Sequence, residues 1–415
     1  MSNKLLISNN SETDGICNGL TKSLICCFLI VQVFTNAFAL SSVLNPAFLV
    51  SVILFGVGVA RGDHKTATDE PIFLSLFYLI LFFSLLVFAT GEKCFNHFLM
   101  WSIPPLLYFF MLKRQIVVLF VYEEFESKLL RMVFISVVLA SGFALFEFIA
   151  VNFLGMDLSF IPRGSVESYT PVALDRIRAR SFMEESGQFS FFLEAFVPLS
   201  IYWVNRNVAS KSSRWLFYTV VLLSLFVSFS AAGFALFLIG AFIYLCYKIK
   251  NSDNISRVII IIVQVLLVVF VAVVLIPEIY ESIESIISSK LDPSNSSHSD
   301  RESRFEVLSF FTGLPVLVGY GPAAFSTLNT DSFVSFYLGV LMSTGVLGSF
   351  FFFLFIVRQY VYALRLKDKS LKITFVVSIT MVVLHLAFVD NIYTPWMWVL
   401  FSLLYFAARL QPQYD

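Results

Sequence analysis

Apolar runs about the length of a bilayer crossing follow one another along almost the whole chain, and they fix the fold class before any motif is read. A helix needs about 20 apolar residues to cross the hydrocarbon layer, and somewhat fewer at the margins. Stretches 24–41, 43–60, 72–90, 98–112, 132–154, 187–205, 214–230, 232–247, 257–277, 333–357, 373–389 and 394–410 meet that rule. The expected fold is therefore all-α, a single polytopic membrane domain over residues 1–415 with about twelve spans. Charged residues make up 13% of the chain and the mean hydropathy is +0.84, whereas a soluble domain is about a quarter charged. No soluble subdomain fits, and a net charge of zero gives no basic field for nucleic acid.

Details of the spans follow from single residues. Pro104 and Pro105 should kink 98–112, since neighbouring helices can re-satisfy the freed backbone groups. Stretch 116–131 starts apolar and ends Glu123-Glu124-Phe125-Glu126-Ser127-Lys128, which predicts an interfacial helix. The polar segment Met1 to Lys22 enters the first run without an A-x-A-like cleavage site, so a retained first helix is expected.

Lys and Arg in short connections set the orientation. With the N-terminus inside, only Lys93, Arg163, Arg176, Arg178, Arg180, Lys290, Arg301 and Arg304 of the 28 Lys and Arg residues fall on the outer side. Both termini are then cytoplasmic. All but Lys93 of those outer charges sit in two long loops, about 155–186 and 278–332. Connections longer than about 12–15 residues are usually functional or disordered.

The first loop closes on Arg176-Ile177-Arg178-Ala179-Arg180-Ser181-Phe182-Met183-Glu184-Glu185-Ser186-Gly187-Gln188. The second carries Asp300-Arg301-Glu302-Ser303-Arg304 and the tight turn Gly319-Tyr320-Gly321-Pro322 before re-entry. Arginine forks pair bidentately with phosphate and stay charged at any working pH, so two such clusters point to an anionic, lipid-linked substrate. The competing bland readings are headgroup contacts for Arg176, Arg178 and Arg180, ion pairing with Glu302 or Glu306 for Arg301 and Arg304, and helix-terminus capping for Glu184, Glu185 and Asp331. Glu147 and Glu194 fall inside predicted spans, where a carboxylate is a functional candidate by default; the bland reading for Glu194 is a protonated acid bonded to a neighbouring helix, and Glu147 reads as structural more than functional. Glu194 lies two turns below Gly187 and could face the same cavity. The four histidines are scattered with no HExxH, no DxD pair is evident, and no GxxxxGK[ST] is present, so metal and nucleotide chemistry are not expected.

With these residues in view, the chain resembles the bacterial O-antigen polymerases (Wzy-type) of the O-antigen polymerase and ligase superfamily. The first matching stretch is Arg178-Ala179-Arg180-Ser181-Phe182-Met183-Glu184-Glu185-Ser186, and Arg176 to Gly187 fits the Arg-x10-Gly pattern of some polymerases. The second is Arg304, an amphipathic stretch, Pro315, Gly319-Tyr320-Gly321 and then Gly345-Val346-Leu347-Gly348. The resemblance covers most of the chain in topology, and residues about 175–190 and 300–350 in motif. The second loop departs from it, with Thr312 and Pro315 where Arg-x10-Gly would place glycine. Asn329-Thr330-Asp331-Ser332-Phe333 lacks the histidine usual in ligases, which favours polymerase.

The resemblance implies a GT-C-like glycosyltransferase of the bacterial inner membrane, with its active site facing the periplasm and no metal or cofactor. A growing glycan would leave undecaprenyl diphosphate and join a second lipid-linked repeat unit. Arg178, Arg180 and Arg304 would hold the donor diphosphate, supported by Arg176 and Arg301. Glu184 or Glu185 would act near the acceptor, and Asp331, Glu194, Gly319 and Tyr320 would line the substrate site. The partners implied are undecaprenyl-diphosphate-linked oligosaccharides, the bilayer and a separate chain-length regulator. Two other readings stay open: a ligase passing glycan to lipid A-core, and a transporter or flippase of lipid-linked oligosaccharide. Against transport, no basic residue lies in mid-span and no inverted repeat is visible.

Overall fold

The computed structural model describes residues 12–38, 45–63, 71–158, 161–163, 176–250, 308–330, 333, 335–389 and 392–410. Among them the protein is all-helical, with no strand. In chain order the α-helices are α1 (Glu12–Val31), α2 (Pro46–Ala60), α3 (Ile72–Val87), α4 (Cys94–Pro105), α5 (Leu112–Leu119), α6 (Tyr122–Glu124), α7 (Arg131–Leu154), α8 (Ser186–Asn207), α9 (Lys211–Val227), α10 (Ala231–Lys250), α11 (Pro315–Val318), α12 (Ala324–Leu328), α13 (Phe336–Arg365), α14 (Lys369–His385) and α15 (Pro395–Leu410). Among the described residues, five helical stretches are long and apolar enough to cross a membrane: Cys17–Phe34, Cys94–Leu119, Tyr122–Leu154, Ala231–Lys250 and Phe336–Arg365. Leu79, Leu86, Leu238 and Phe242 are all more than half exposed. Apolar surface of this kind belongs against hydrocarbon, and the chain is a helical membrane protein.

Local chemistry sets the helix ends. Asn45 caps α2 by accepting from the Phe48 amide at 2.8 Å, with Pro46 in the first turn, where its missing N–H is harmless. Ser210 caps α9 through the Ser213 amide. The helix α7 stops at Gly155, whose φ of 62° is left-handed, a conformation glycine reaches without a Cβ penalty.

Two expectations change here. After Pro104 and Pro105 the helix does not simply kink. It widens into a π-turn over Leu106–Met111 and runs on to Leu119, because proline removes the donor that the normal ladder needs. The predicted interfacial helix 116–131 is not one element. Phe120 is extended, and a new helix begins at Tyr122, passes through a second π-segment at Phe125–Leu130 and continues as α7. Lys113, the residue just beyond the predicted run 98–112, is fully buried, with its Nζ 4.9 Å from the Phe109 ring centroid and 5.0 Å from that of Tyr405. Contact with ring faces offsets part of the cost of burying its charge.

The core is built around α15, where Trp396 to Ala407 are buried on every side, as in a helix that is apolar all round. The helix α8 packs on α14 and α7, and α3 packs on α13. At the end of α8 remote from Ser186, Arg206 reaches Asp368 at 2.7 Å and Glu126 at 3.0 Å, while the single Tyr202 O–H is shared between the same two carboxylates, 2.7 Å from Glu126 and 2.9 Å from Asp368. Burial works against the Asp368 carboxylate, but hydrogen bonds from the Leu371 amide, the Tyr202 hydroxyl and the Ser370 amide hold its pKa below the usual range. Its contribution to stability is therefore present above the ordinary carboxylate pKa and is lost as pH falls through the lowered one. The Arg206 side chain is half exposed, at 49%. Arg206→Gln is accordingly expected to cost no more than about 1 kcal/mol, read as a small drop in the thermal midpoint of detergent-purified protein.

Candidate functional site

The arginine-bearing segment 176–185 is held from beneath by α7. The Asn152 side chain clamps Ile177 from both sides of its backbone: Oδ1 accepts from the Ile177 amide at 2.8 Å and Nδ2 donates to its carbonyl at 2.8 Å. The Ala179 amide donates to the Val227 carbonyl at 2.9 Å. Below them, Glu147 is 1% exposed and accepts from three donors: the Arg163 guanidinium at 2.7 Å, the Arg180 amide at 2.9 Å and the Ser181 amide at 2.7 Å. Arg163 is itself 5% exposed. A buried carboxylate of this kind is tolerable because its charge is matched by Arg163 and both its oxygens accept hydrogen bonds. Glu147 thus fixes where the segment turns. Ser181 there takes a left-handed φ of 55° and donates to the Ala140 carbonyl. Phe182 stacks on Phe143 at 4.1 Å and meets Phe34 edge-on.

The alternation in Arg176-Ile177-Arg178-Ala179-Arg180 reports this placement. Ala179 is 1% exposed, whereas Arg178 and Arg180 are only partly covered. The three arginines differ in what holds them. Arg176 is exposed, donates to the Asn152 carbonyl at 3.1 Å and lies 4.8 Å over the Phe153 ring. Arg180 donates to the Glu184 carbonyl at 3.0 Å. Arg178 makes no side-chain hydrogen bond or ion pair among the described residues. Glu184 stands beside Asn36, whose amide nitrogen is 3.5 Å from its Oε2. Glu185 is exposed at the N-cap of α8 and makes no capping bond with its side chain. The segment therefore presents guanidinium groups on a fixed backbone, and two carboxylates, at the mouth of α8, a surface suited to grip an oxyanion and to receive a proton.

Other predicted site residues lie elsewhere. Glu194 does not open toward the arginines. It is fully buried, with both carboxylate oxygens 2.7–2.8 Å from Nδ1 of His385. The His385 ring lies against Phe191, and His385 is itself fully buried. Gly319 and Tyr320 do not offer a phosphate cradle either. The amides of Gly319, Tyr320 and Gly321 donate to the carbonyls of Pro315, Met342 and Ser343, and the Tyr320 hydroxyl donates to the Phe310 carbonyl, so none of these donors is left for a ligand.

This turn has a structural task instead. Gly319 has a φ of 80°, and α13 breaks from helical geometry at Gly345, with a φ of 64°. A Cβ on Gly319 would run into the Ser343–Thr344 backbone, and one on Gly345 into the Leu317–Val318 backbone. The short helix α11 is thereby seated against the broken helix, and the Val318 carbonyl also accepts from Ser84 of α3. The small-residue reading of Gly345-Val346-Leu347-Gly348 gives way at Gly345 to a close approach of two main chains. Gly345→Ala is expected to destabilise the protein by about 1–3 kcal/mol through strain at positive φ and overpacking. Thermal unfolding measures it, with Gly142→Ala as the comparison, because a Cβ there meets nothing.

Arg301, Arg304 and Asp331 lie outside the described residues. Glu147, Arg163, Asn152 and Asn36 were not assigned to the site by sequence. Glu147 carried a signal, as a carboxylate within an apolar run, but its partners are distant in the chain. No protein-family model matches the chain, and no curated protein matches it.

Proposed function

We propose that this protein is a repeat-unit polymerase of the O-antigen type. It transfers a growing glycan from undecaprenyl diphosphate to a second lipid-linked repeat unit at the periplasmic face of the bacterial inner membrane. In this reading the fold is GT-C-like with about twelve spans, both termini are cytoplasmic, and a chain-length regulator is a partner. The observation that carries it is Arg178. It is a half-buried guanidinium with no partner among the described residues, on a segment that Glu147 and Asn152 hold rigidly at the mouth of α8.

The chemistry follows from the groups present. The acceptor hydroxyl attacks the anomeric carbon, and the bond from that carbon to the diphosphate oxygen breaks with its electron pair going to the diphosphate. Arg178 and Arg180, with Arg304 from the second loop, stabilise the charge that grows there. A preorganised donor in a partly dry site costs no reorganisation during the reaction. Glu184 or Glu185 takes the proton of the acceptor hydroxyl. Binding of diphosphate by permanently charged arginines does not vary with pH in the working range.

The test is the glycan ladder of cells carrying Arg178→Ala, Arg180→Ala or Arg304→Ala. A polymerase defect leaves a single repeat unit on the lipid A-core, whereas a ligase defect leaves no glycan there. An unchanged ladder in all three variants would remove the arginines from the mechanism.

A further inference from the structure

A cleft of about 800 Å³ opens between α8, α10 and α14, at the end of α8 opposite the arginine segment. Its size falls within the roughly 300–1,000 Å³ of small-molecule sites. The lining changes character with depth. Its inner part is apolar, formed by Val197, Phe237, Gly240, Val377 and Met381. Its mouth is polar, with Tyr202, Asn205, Arg206, Lys248, Asp368 and Ser370.

The depth is informative. From Lys248 to Gly240 along α10 is about 12 Å at 1.5 Å per residue, and from Ser370 to Met381 along α14 about 16 Å. One leaflet of hydrocarbon is about 15 Å deep, half of a core of about 30 Å. The cleft is thus about as deep as one leaflet, apolar at one end and charged at the other. The charges at the mouth are not equivalent. Arg206 is held by Asp368 and Glu126. Lys248 makes no ion pair among the described residues, and its Nζ lies 5.6 Å over the Tyr244 ring.

We propose that this cleft binds a phospholipid of the leaflet opposite the arginine segment, with one acyl chain between α8 and α10 over the face of α14 and its phosphate on Lys248. A charged partner in such a site is worth more than a neutral hydrogen bond, so the phosphate supplies selectivity and the chain supplies most of the affinity. This site is separate from the transfer chemistry proposed above and stands whether or not that reading holds.

The experiment is native mass spectrometry of delipidated, detergent-purified protein offered phosphatidylglycerol, dioleoylglycerol or a polyprenyl phosphate. Phosphatidylglycerol is expected to be retained about tenfold more than dioleoylglycerol, and Lys248→Gln should erase that difference. Ala241 lines the cleft and is exposed, so Ala241→Trp should obstruct the path of the acyl chain and abolish retention. An unchanged thermal midpoint checks that this variant folds, and Lys248→Gln carries the test if it does not. Equal retention of the two diacyl lipids by the unaltered protein, or undiminished retention by Ala241→Trp, would overturn the proposal. So would a preference for polyprenyl phosphate, which would make the cleft a carrier-lipid site.

Discussion

Arg178→Ala is expected to lower the rate of polymer formation by about 10²–10³-fold, the loss typical of removing one preorganised donor from a site that stabilises developing negative charge. The size of the effect follows from how the side chain is held. Its backbone is pinned on one side by the Asn152 clamp on Ile177 and on the other by the Ala179 amide bond to Val227. The guanidinium itself has no partner among the described residues, so its donors are available to a diphosphate. Arg178→Lys keeps the charge but loses the planar fork, and should recover only part of the rate. Arg176→Ala is the contrast. Arg176 is exposed and already occupied by the Asn152 carbonyl and the Phe153 ring, so its loss should change the rate by less than about tenfold, consistent with a solvent-screened group. Rates are measured in membranes supplied with lipid-linked repeat units and normalised to folded protein.

The second large effect is structural. Glu147→Ala is expected to destabilise the protein by about 3–5 kcal/mol, because it leaves the Arg163 guanidinium buried without its carboxylate. It also strips the amides of Arg180 and Ser181 of their acceptor, and each buried donor left unsatisfied costs about 1–3 kcal/mol. Such costs overlap and do not add. Glu147→Gln keeps one acceptor oxygen and should lose less. The double variant Glu147→Gln, Arg163→Met removes the stranded charge and should recover part of the loss, as apolar replacements of buried pairs often do. Thermal unfolding in detergent reads the stability. Limited trypsin digestion reads the segment itself, since Arg176, Arg178 and Arg180 become cleavable once their backbone is released.

Helix positions were legible in the sequence wherever one apolar run ended in polar residues before the next began. The run 132–154 became Arg131–Leu154, and 394–410 became Pro395–Leu410. The break at Phe120 was not legible, because apolar residues continue through it and only a local extended conformation separates two helices. The turn glycines were visible as a turn, but not as the contact that splits α13 at Gly345. That contact depends on main chains that meet only in the fold. At the site, the arginine cluster stood out because it opposes the charge bias of its loops. Its support did not, since Glu147 reaches Arg163 across a loop and Glu194 reaches His385 from nearly half the chain away. No hydrophobic period encodes either pairing.

The claim that these arginines serve glycan transfer is tested most directly with purified protein in detergent, given undecaprenyl-diphosphate-linked repeat units and no sealed compartment. The account predicts products of two and more repeats, with undecaprenyl diphosphate released in step with each new linkage. Repeat units left unchanged in detergent, yet carried across the bilayer when the same protein is placed in sealed vesicles, would contradict it.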